Sequence, residues 1–401
     1  MLAIRGGTVV TPDQTIERGV VLVDGRKIVD VGADVVIPSG AEEIDADGKY
    51  VLPGLIDAHC HVALFADGVG LRNYDGNEMT DPITPHLRAL DAIHPEDLAF
   101  ADLREAGVTT INTSPGSANV IGGQTAIVKT AGRTVDEMLV QAPGAMKMAL
   151  GENPKRVYGE QKKVPSTRMG NAALLREWLA KAKTYVEKKS RHDESVQAFA
   201  RGDEGATRPE PFEVDMRLEA LSAVVTRGLR AHIHAHRADD IMTAIRIAEE
   251  FELDYVLIHA TEGYKIADLL GARKVPCIPG PILFSRSKVE LRGMTPRNPG
   301  VLANAGVKVA IQTDEGSATK YLRLNAALAV SEGMREADAL RAITLSAAEI
   351  LGIDRRVGSL EPGKDADVVV LSAHPFDVAG ARVERVLIEG ETVYERPESA
   401  R

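Results

Sequence analysis

The densest chemistry in this 401-residue sequence lies in histidines spaced two apart. In Leu55-Ile56-Asp57-Ala58-His59-Cys60-His61 an extended backbone puts His59 and His61 on one side and Cys60 on the other. Two imidazoles about 7 Å apart along a strand meet a single cation when both lean towards it. A second run, Ala231-His232-Ile233-His234-Ala235-His236-Arg237, holds three alternating histidines, more than packing requires. Those nearest the carboxyl end of the strand reach a site there. His234 is the candidate ligand, His236 stands at the rim to orient a neighbour or touch substrate, and His232 lies deeper as a core residue. Two further runs end on His259 and on Asp314. Either alone is ordinary, since an aspartate at a strand end often caps a helix; recurrence at several strand ends is the signal. Imidazoles and carboxylates together hold a divalent cation, which lowers the pKa of bound water from about 15.7 to roughly 7.

These side chains need elements to position them. Between residues 53 and 360, β-branched runs alternate with helical stretches, a pattern that predicts a parallel α/β fold. Eight candidate strands cover 55–59, 108–112, 126–130, 146–150, 231–235, 255–259, 275–279 and 307–312. Helices at 174–186 and 241–251 show apolar residues at helical spacing. Eight strands in about 300 residues predict a (β/α)8 TIM barrel, whose ligands gather at the carboxyl ends of the strands; a doubly wound open sheet is the runner-up. The charged stretch 188–211 breaks the rhythm and is expected to be an exposed insertion or mobile loop. Short strands at each chain end flank turns such as Asp24-Gly25 and Glu389-Gly390. Each half is too small to bury a core alone. The expected organisation is therefore a composite β-sandwich domain from 1–52 and 361–401, with the barrel, 53–360, between them.

Composition narrows the class. Hydrophobic residues at 44% and charged residues at 26% exclude wholesale disorder. A net charge of −10 without a sustained basic block speaks against a nucleic-acid partner. No apolar run approaches eighteen residues and the first residues carry no signal-peptide core, so no membrane association is expected. Two cysteines, Cys60 and Cys277, build no disulfide framework, and a cytoplasmic location is the expectation.

The segment 53–61, Pro-Gly-Leu-Ile-Asp-Ala-His-Cys-His, resembles the first-strand signature of the amidohydrolase superfamily. The later strand-end histidines, Thr313-Asp314 and the run from Gly358 to Asp367 are similar to it as well. More narrowly, the chain resembles the branch holding imidazolonepropionase and prolidase-like hydrolases. Three stretches resemble a group there without a settled substrate: Ser117–Gln124, Gly151–Arg156 and Ser285–Glu290. The resemblance implies His59, His61, His234 and His259 as metal ligands. It also implies Asp314 as the aspartate that touches metal and moves the proton of the attacking water. The bridging ligand is a carboxylated lysine in some members and a glutamate in others. Lys147 lies mid-strand and Glu152 follows a glycine at the strand end, and Glu152 is favoured on that placement. Zn²⁺, as one or two ions, is the expected cofactor, with Fe²⁺ or Mn²⁺ fitting too.

The metal or His236 would polarise the scissile carbonyl. Arg237 and Arg286 are the candidate contacts to a carboxylated substrate, with Lys288 and Arg292 also available. The implied reaction is hydrolysis of a C–N bond in a small amide, lactam or imide. Heterocycle deamination is the alternative, although superfamily deaminases usually place a glutamate where this chain has Arg237. An inactive binding relative is the third reading. A small molecule is the expected partner, and pairing into a homo-oligomer stays open. Where close relatives often follow the last-strand aspartate with His-Pro, this chain has Glu315-Gly316.

Overall fold

The computed structural model describes residues 1–11, 14–68, 70 and 74–397. The amino-terminal strands are β1 (Leu2–Val10), β2 (Thr15–Asp24), β3 (Lys27–Gly32), β4 (Glu42–Asp45) and β5 (Tyr50–Pro53). The central strands are β6 (Leu55–Cys60), β7 (Val108–Thr113), β8 (Ile121–Gln124), β9 (Ala126–Lys129), β10 (Leu139–Gln141), β11 (Met146–Ala149), β12 (Ala231–Ala235), β13 (Tyr255–His259) and β14 (Cys277–Pro279). The chain closes with β15 (Val368–Leu371), β16 (Val383–Ile388) and β17 (Glu391–Glu395).

Both chain ends enter one eight-stranded sheet, in the order β17-β16-β15-β5-β1-β2-β3 with β4 on β1. Strand β5 joins the two ends, pairing parallel to β1 and antiparallel to β15. Neither end buries enough apolar side on its own, and together they enclose Ile4, Val21, Val51, Val368 and Leu387.

The central segment forms two sheets. Strands β11, β12, β13 and β14 run parallel in chain order, and β6 runs parallel to β7. These strands are buried almost throughout, as parallel strands covered on both faces must be. Gly54 permits the close start of β6, because a Cβ there would sit 2.1 Å from Thr109 Oγ1. The segment after 307 forms no regular strand. It makes a parallel bridge from Val309 to Cys277, and the Asp314 amide donates to the His59 carbonyl at 3.3 Å. It therefore bonds to β14 on one side and β6 on the other.

Two further expectations change. The candidate strand at 126–130 is not part of a parallel alternation: β9 runs antiparallel to β7, and β8, just before it, antiparallel to β11. Only Thr125 separates β8 from β9, so the chain returns between β7 and β11 without a crossover helix. The stretch from 188 is helical as far as 201. It continues the 34-residue helix Arg168–Arg201, capped by Thr167 at the start and by left-handed Gly202 at the end. Its charged residues are a solvated helix face, for which polarity alone is a poor guide to loop.

Candidate metal centre

Five histidines, one aspartate and one lysine converge at the carboxyl ends of the central strands. His59 ends near His61 and His259, with ring centroids 5.2 and 5.7 Å away. His234, His236 and His259 form a tighter trio at 4.4–4.5 Å. The Asp314 Oδ1 lies 3.2 Å from His61 Nε2, 3.4 Å from His59 Nε2 and 3.9 Å from His259 Nε2. Two groups bring their potential ligand atoms within 4.8 Å of one another: His234–His236–His259 and His59–His259–Asp314.

Hydrogen bonds around the rim decide which nitrogens face inward. His61 Nδ1 donates to the Ser114 carbonyl at 2.7 Å, and His259 Nδ1 to the Gly280 carbonyl at 2.9 Å. The Nε2 atoms of both rings are therefore the ones left facing the Asp314 carboxylate. Among the described residues His234 has no partner on either nitrogen, and the Nε2 atoms of His236 and His259 are buried and unbonded. Burial pushes His59, His234 and His236 well below the ordinary imidazole value, and His259 to about 3. His59, His234, His236 and His259 are thus neutral, the state in which an imidazole offers a lone pair to a cation. Although burial works against it, His259, His59 and His61 hold the Asp314 carboxyl well below its usual value. A divalent cation fits this donor set, because converging buried lone pairs are costly without one. With its Nδ1 engaged, His259 offers one nitrogen and serves one of the two groups at a time.

Backbone strain marks the same place. His259 has φ of 70° and Asp314 of 60°, in the left-handed region where a side chain costs about 1–2 kcal/mol. In each case the backbone turns sharply at the residue that joins the cluster.

The structure separates the two candidates for the bridging position. Lys147 is completely buried on β11, its Nζ 3.0 Å from His59 Nε2. Among the described residues no carboxylate lies within 4.0 Å of it, and burial lowers it to about 7. Glu152 faces elsewhere. Its amide donates to Glu290 Oε1 at 2.7 Å and its carboxylate accepts from the Glu290 amide at 3.3 Å. Gly151, at φ of 87°, turns the chain onto Glu290, whose Oε1 would lie 2.7 Å from a Cβ there.

The other assignments are met unevenly. His236 is buried beside His234, with Nδ1 2.7 Å from Thr261 Oγ1. His232 is buried below the site, where burial lowers it to about 3. Arg237 does not join the cluster: it pairs with Asp239 through two hydrogen bonds of 2.9 and 2.6 Å and is 40% exposed. Arg286 is exposed on the loop after β14. One residue escaped sequence reasoning. Buried Asp57 accepts from the His59 amide at 2.9 Å, the Thr313 amide at 3.1 Å and Thr313 Oγ1 at 2.7 Å, fastening β6 to the segment that carries Asp314. Its place two residues before His59, on the same strand face, was the available sign.

A fold of central parallel strands flanked by a sheet from both termini, with histidines gathered at the strand ends, is matched in known proteins. The amidohydrolase family model covers residues 50–393, and the chain belongs to that family. An amidohydrolase of known structure from Thermotoga maritima is 43% identical, with a TM-score of 0.92 over 99% of this chain and 100% of that one. An imidazolonepropionase from Geobacillus kaustophilus is 27% identical, over 89% of this chain and 84% of its own length. The amidohydrolase tasK from Hapsidospora irregularis is 29% identical over 96% of this chain, which spans only 40% of that relative's length. Among the described residues no helix is long and apolar enough to cross a membrane.

Proposed function

We propose that the chain is a metal-dependent hydrolase of a C–N bond in a small amide, lactam or imide. The carrying observation is that His59, His61 and His259 bring Nε2 within 3.2–3.9 Å of Asp314 Oδ1, beside the buried, unpartnered nitrogens of His234. His59, His61, His234, His259 and Asp314 would hold the ion, zinc by the preference of an imidazole-rich shell and iron or manganese otherwise. In place of Glu152, Lys147 would complete the set as a carbamate. Its neutral amine would add to CO2, forming an N–C bond and releasing one proton to water; the product carboxylate would then face His59. A bound divalent cation supplies Lewis acidity to water and to the scissile carbonyl. Asp314 then takes the proton of the attacking water and returns it to the leaving nitrogen. With Thr261 Oγ1 donating to Nδ1, His236 keeps an Nε2–H to donate to the carbonyl oxygen.

The fold supports reading the two central sheets as arcs of one (β/α)8 barrel, joined across residues 309–314, with 1–52 and 361–401 as the second domain. A reducing cytoplasm suits the two free, buried cysteines.

The test is metal content and amide hydrolysis in the wild type, His234→Ala, Lys147→Ala and Glu152→Ala. The first two variants should lose metal and activity and the third should keep its metal. Retained metal in Lys147→Ala would overturn the carbamate. Wild type that neither holds nor takes up metal would overturn the hydrolase. Ammonia release from heterocycles, without amide hydrolysis, would make it a deaminase.

A further inference from the structure

The three stretches that the sequence set apart, 117–124, 151–156 and 285–290, are remote in the chain and meet beside the metal centre. Asn153 Nδ2 donates to Ser117 Oγ at 2.9 Å, and Lys288 Nζ donates to Asn153 Oδ1 at 3.3 Å. Each stretch follows a residue that holds a candidate ligand. Ser114, whose carbonyl orients His61, opens the first loop. Strand β11 with Lys147 leads into the second, and Gly280, whose carbonyl orients His259, into the third.

Charged hydrogen bonds hold the arrangement together. Glu290 and Glu152 exchange backbone-to-carboxylate hydrogen bonds, and Arg168 Nη2 binds Glu290 Oε1 at 2.6 Å. The loop carrying Lys288 is thereby clamped to the loop carrying Asn153. Lys288 itself is half-buried, and among the described residues no carboxylate comes within 4.0 Å of its ammonium. Burial lowers it from the ordinary lysine value, with Asp314 opposing. Its charge acts on His234, His236, His259 and Lys147 alike, as expected of a cation standing over the same mouth. An ammonium held by a neutral amide, near a hydrolytic centre and without a counter-ion, is ready for an anion from outside. Arg237 cannot take that part, because Asp239 already occupies its guanidinium.

We propose that Lys288, positioned by Asn153 and Ser117, binds a carboxylate on the substrate and makes the enzyme selective for acidic amides such as N-acyl amino acids or carboxylated lactams. The inference rests on the hydrolase reading of the neighbouring centre.

The test uses matched pairs on the metal-loaded full chain: N-acetyl-L-amino acids against their C-terminal amides, and L-pyroglutamate against L-pyroglutamamide. Wild type should prefer the acid of at least one pair. In K288M the acid-to-amide ratio of kcat/KM should fall roughly 10- to 100-fold, the range of a charge-assisted hydrogen bond, chiefly through KM. K288R should recover part of it. N153D should lower the ratio too while keeping the lysine, because the new carboxylate would pair with the ammonium. Wild type showing no acid preference, or K288M lowering both members equally, overturns the proposal. Hydrolysis of amides without acid preference defeats this inference alone. If no pair is hydrolysed and no metal is held, the hydrolase reading fails; calorimetric binding of the acids to wild type and K288M then decides the recognition, and equal or absent binding overturns it.

Discussion

Two lysines, eighteen positions apart and on strands of different sheets, are both buried, and their surroundings could hardly differ more. Lys129 on β9 is 3% exposed and reaches Asp367 at 2.6 Å and Asp365 at 3.2 Å. Asp365 is also bound by Lys27 at 2.7 Å and Arg356 at 3.0 Å, and the Asp367 carboxylate accepts from the Glu389 amide. Every charge in that group has a partner, and the group ties the central strands to the terminal sheet. Lys147 on β11 has an imidazole for a neighbour and, among the described residues, no carboxylate within 4.0 Å. A buried lysine with its charge matched fastens the structure; one left unmatched next to metal-type ligands is the one we propose for chemistry. Burial by itself does not tell the two apart.

The largest effect should separate them directly. Lys129→Met leaves two buried carboxylates without their shared cation and should cost about 3–5 kcal/mol in denaturant unfolding, with metal content kept in the folded fraction. Lys147→Met should do the reverse: stability within about 1 kcal/mol, because an apolar group replaces an unmatched charge, and hydrolysis down by about 100-fold or more through lost metal. If Lys147→Met proves the more destabilising of the two, the contrast collapses and Lys147 is structural. A smaller effect sharpens the boundary between fastening and chemistry. Asp57→Ala strips the acceptor from two amides and a hydroxyl, and should cost about 1–3 kcal/mol while also weakening metal retention. Thermal melts and metal analysis on the same sample would show it; loss of stability with full metal affinity would make Asp57 a fastener only.

Much of this contrast was legible before any coordinates. The period-two histidines announced themselves, because a strand converts alternation into a shared face whatever surrounds it. So did the union of the two chain ends, since neither half could bury a core alone. What was not legible depended on contacts between distant segments. The direction of β9 hinges on a one-residue connection that strand propensity does not record. The choice between Lys147 and Glu152 turned on Gly151, whose left-handed backbone aims Glu152 at Glu290, 138 residues away. Helix content in 188–201 was hidden by charge, because a solvated helix face and a loop share the same composition.

The arginine paired outside the cluster gives the smallest prediction and the cleanest control on the site. Arg237 lies directly after His236 in sequence, and proximity along the chain suggested a clamp for substrate. In the fold it closes on Asp239, two residues ahead, at the start of the helix Ala238–Glu250. Both partners are substantially exposed, so the pair contributes at most about 1 kcal/mol and is screened by salt. Arg237→Ala should therefore shift stability by no more than that and leave KM for acidic amides near the wild-type value, in contrast to the variants at Lys288. A rise in KM of tenfold or more would mean that the Arg237–Asp239 pair opens when substrate arrives, and would return carboxylate recognition to the residue that the sequence first suggested.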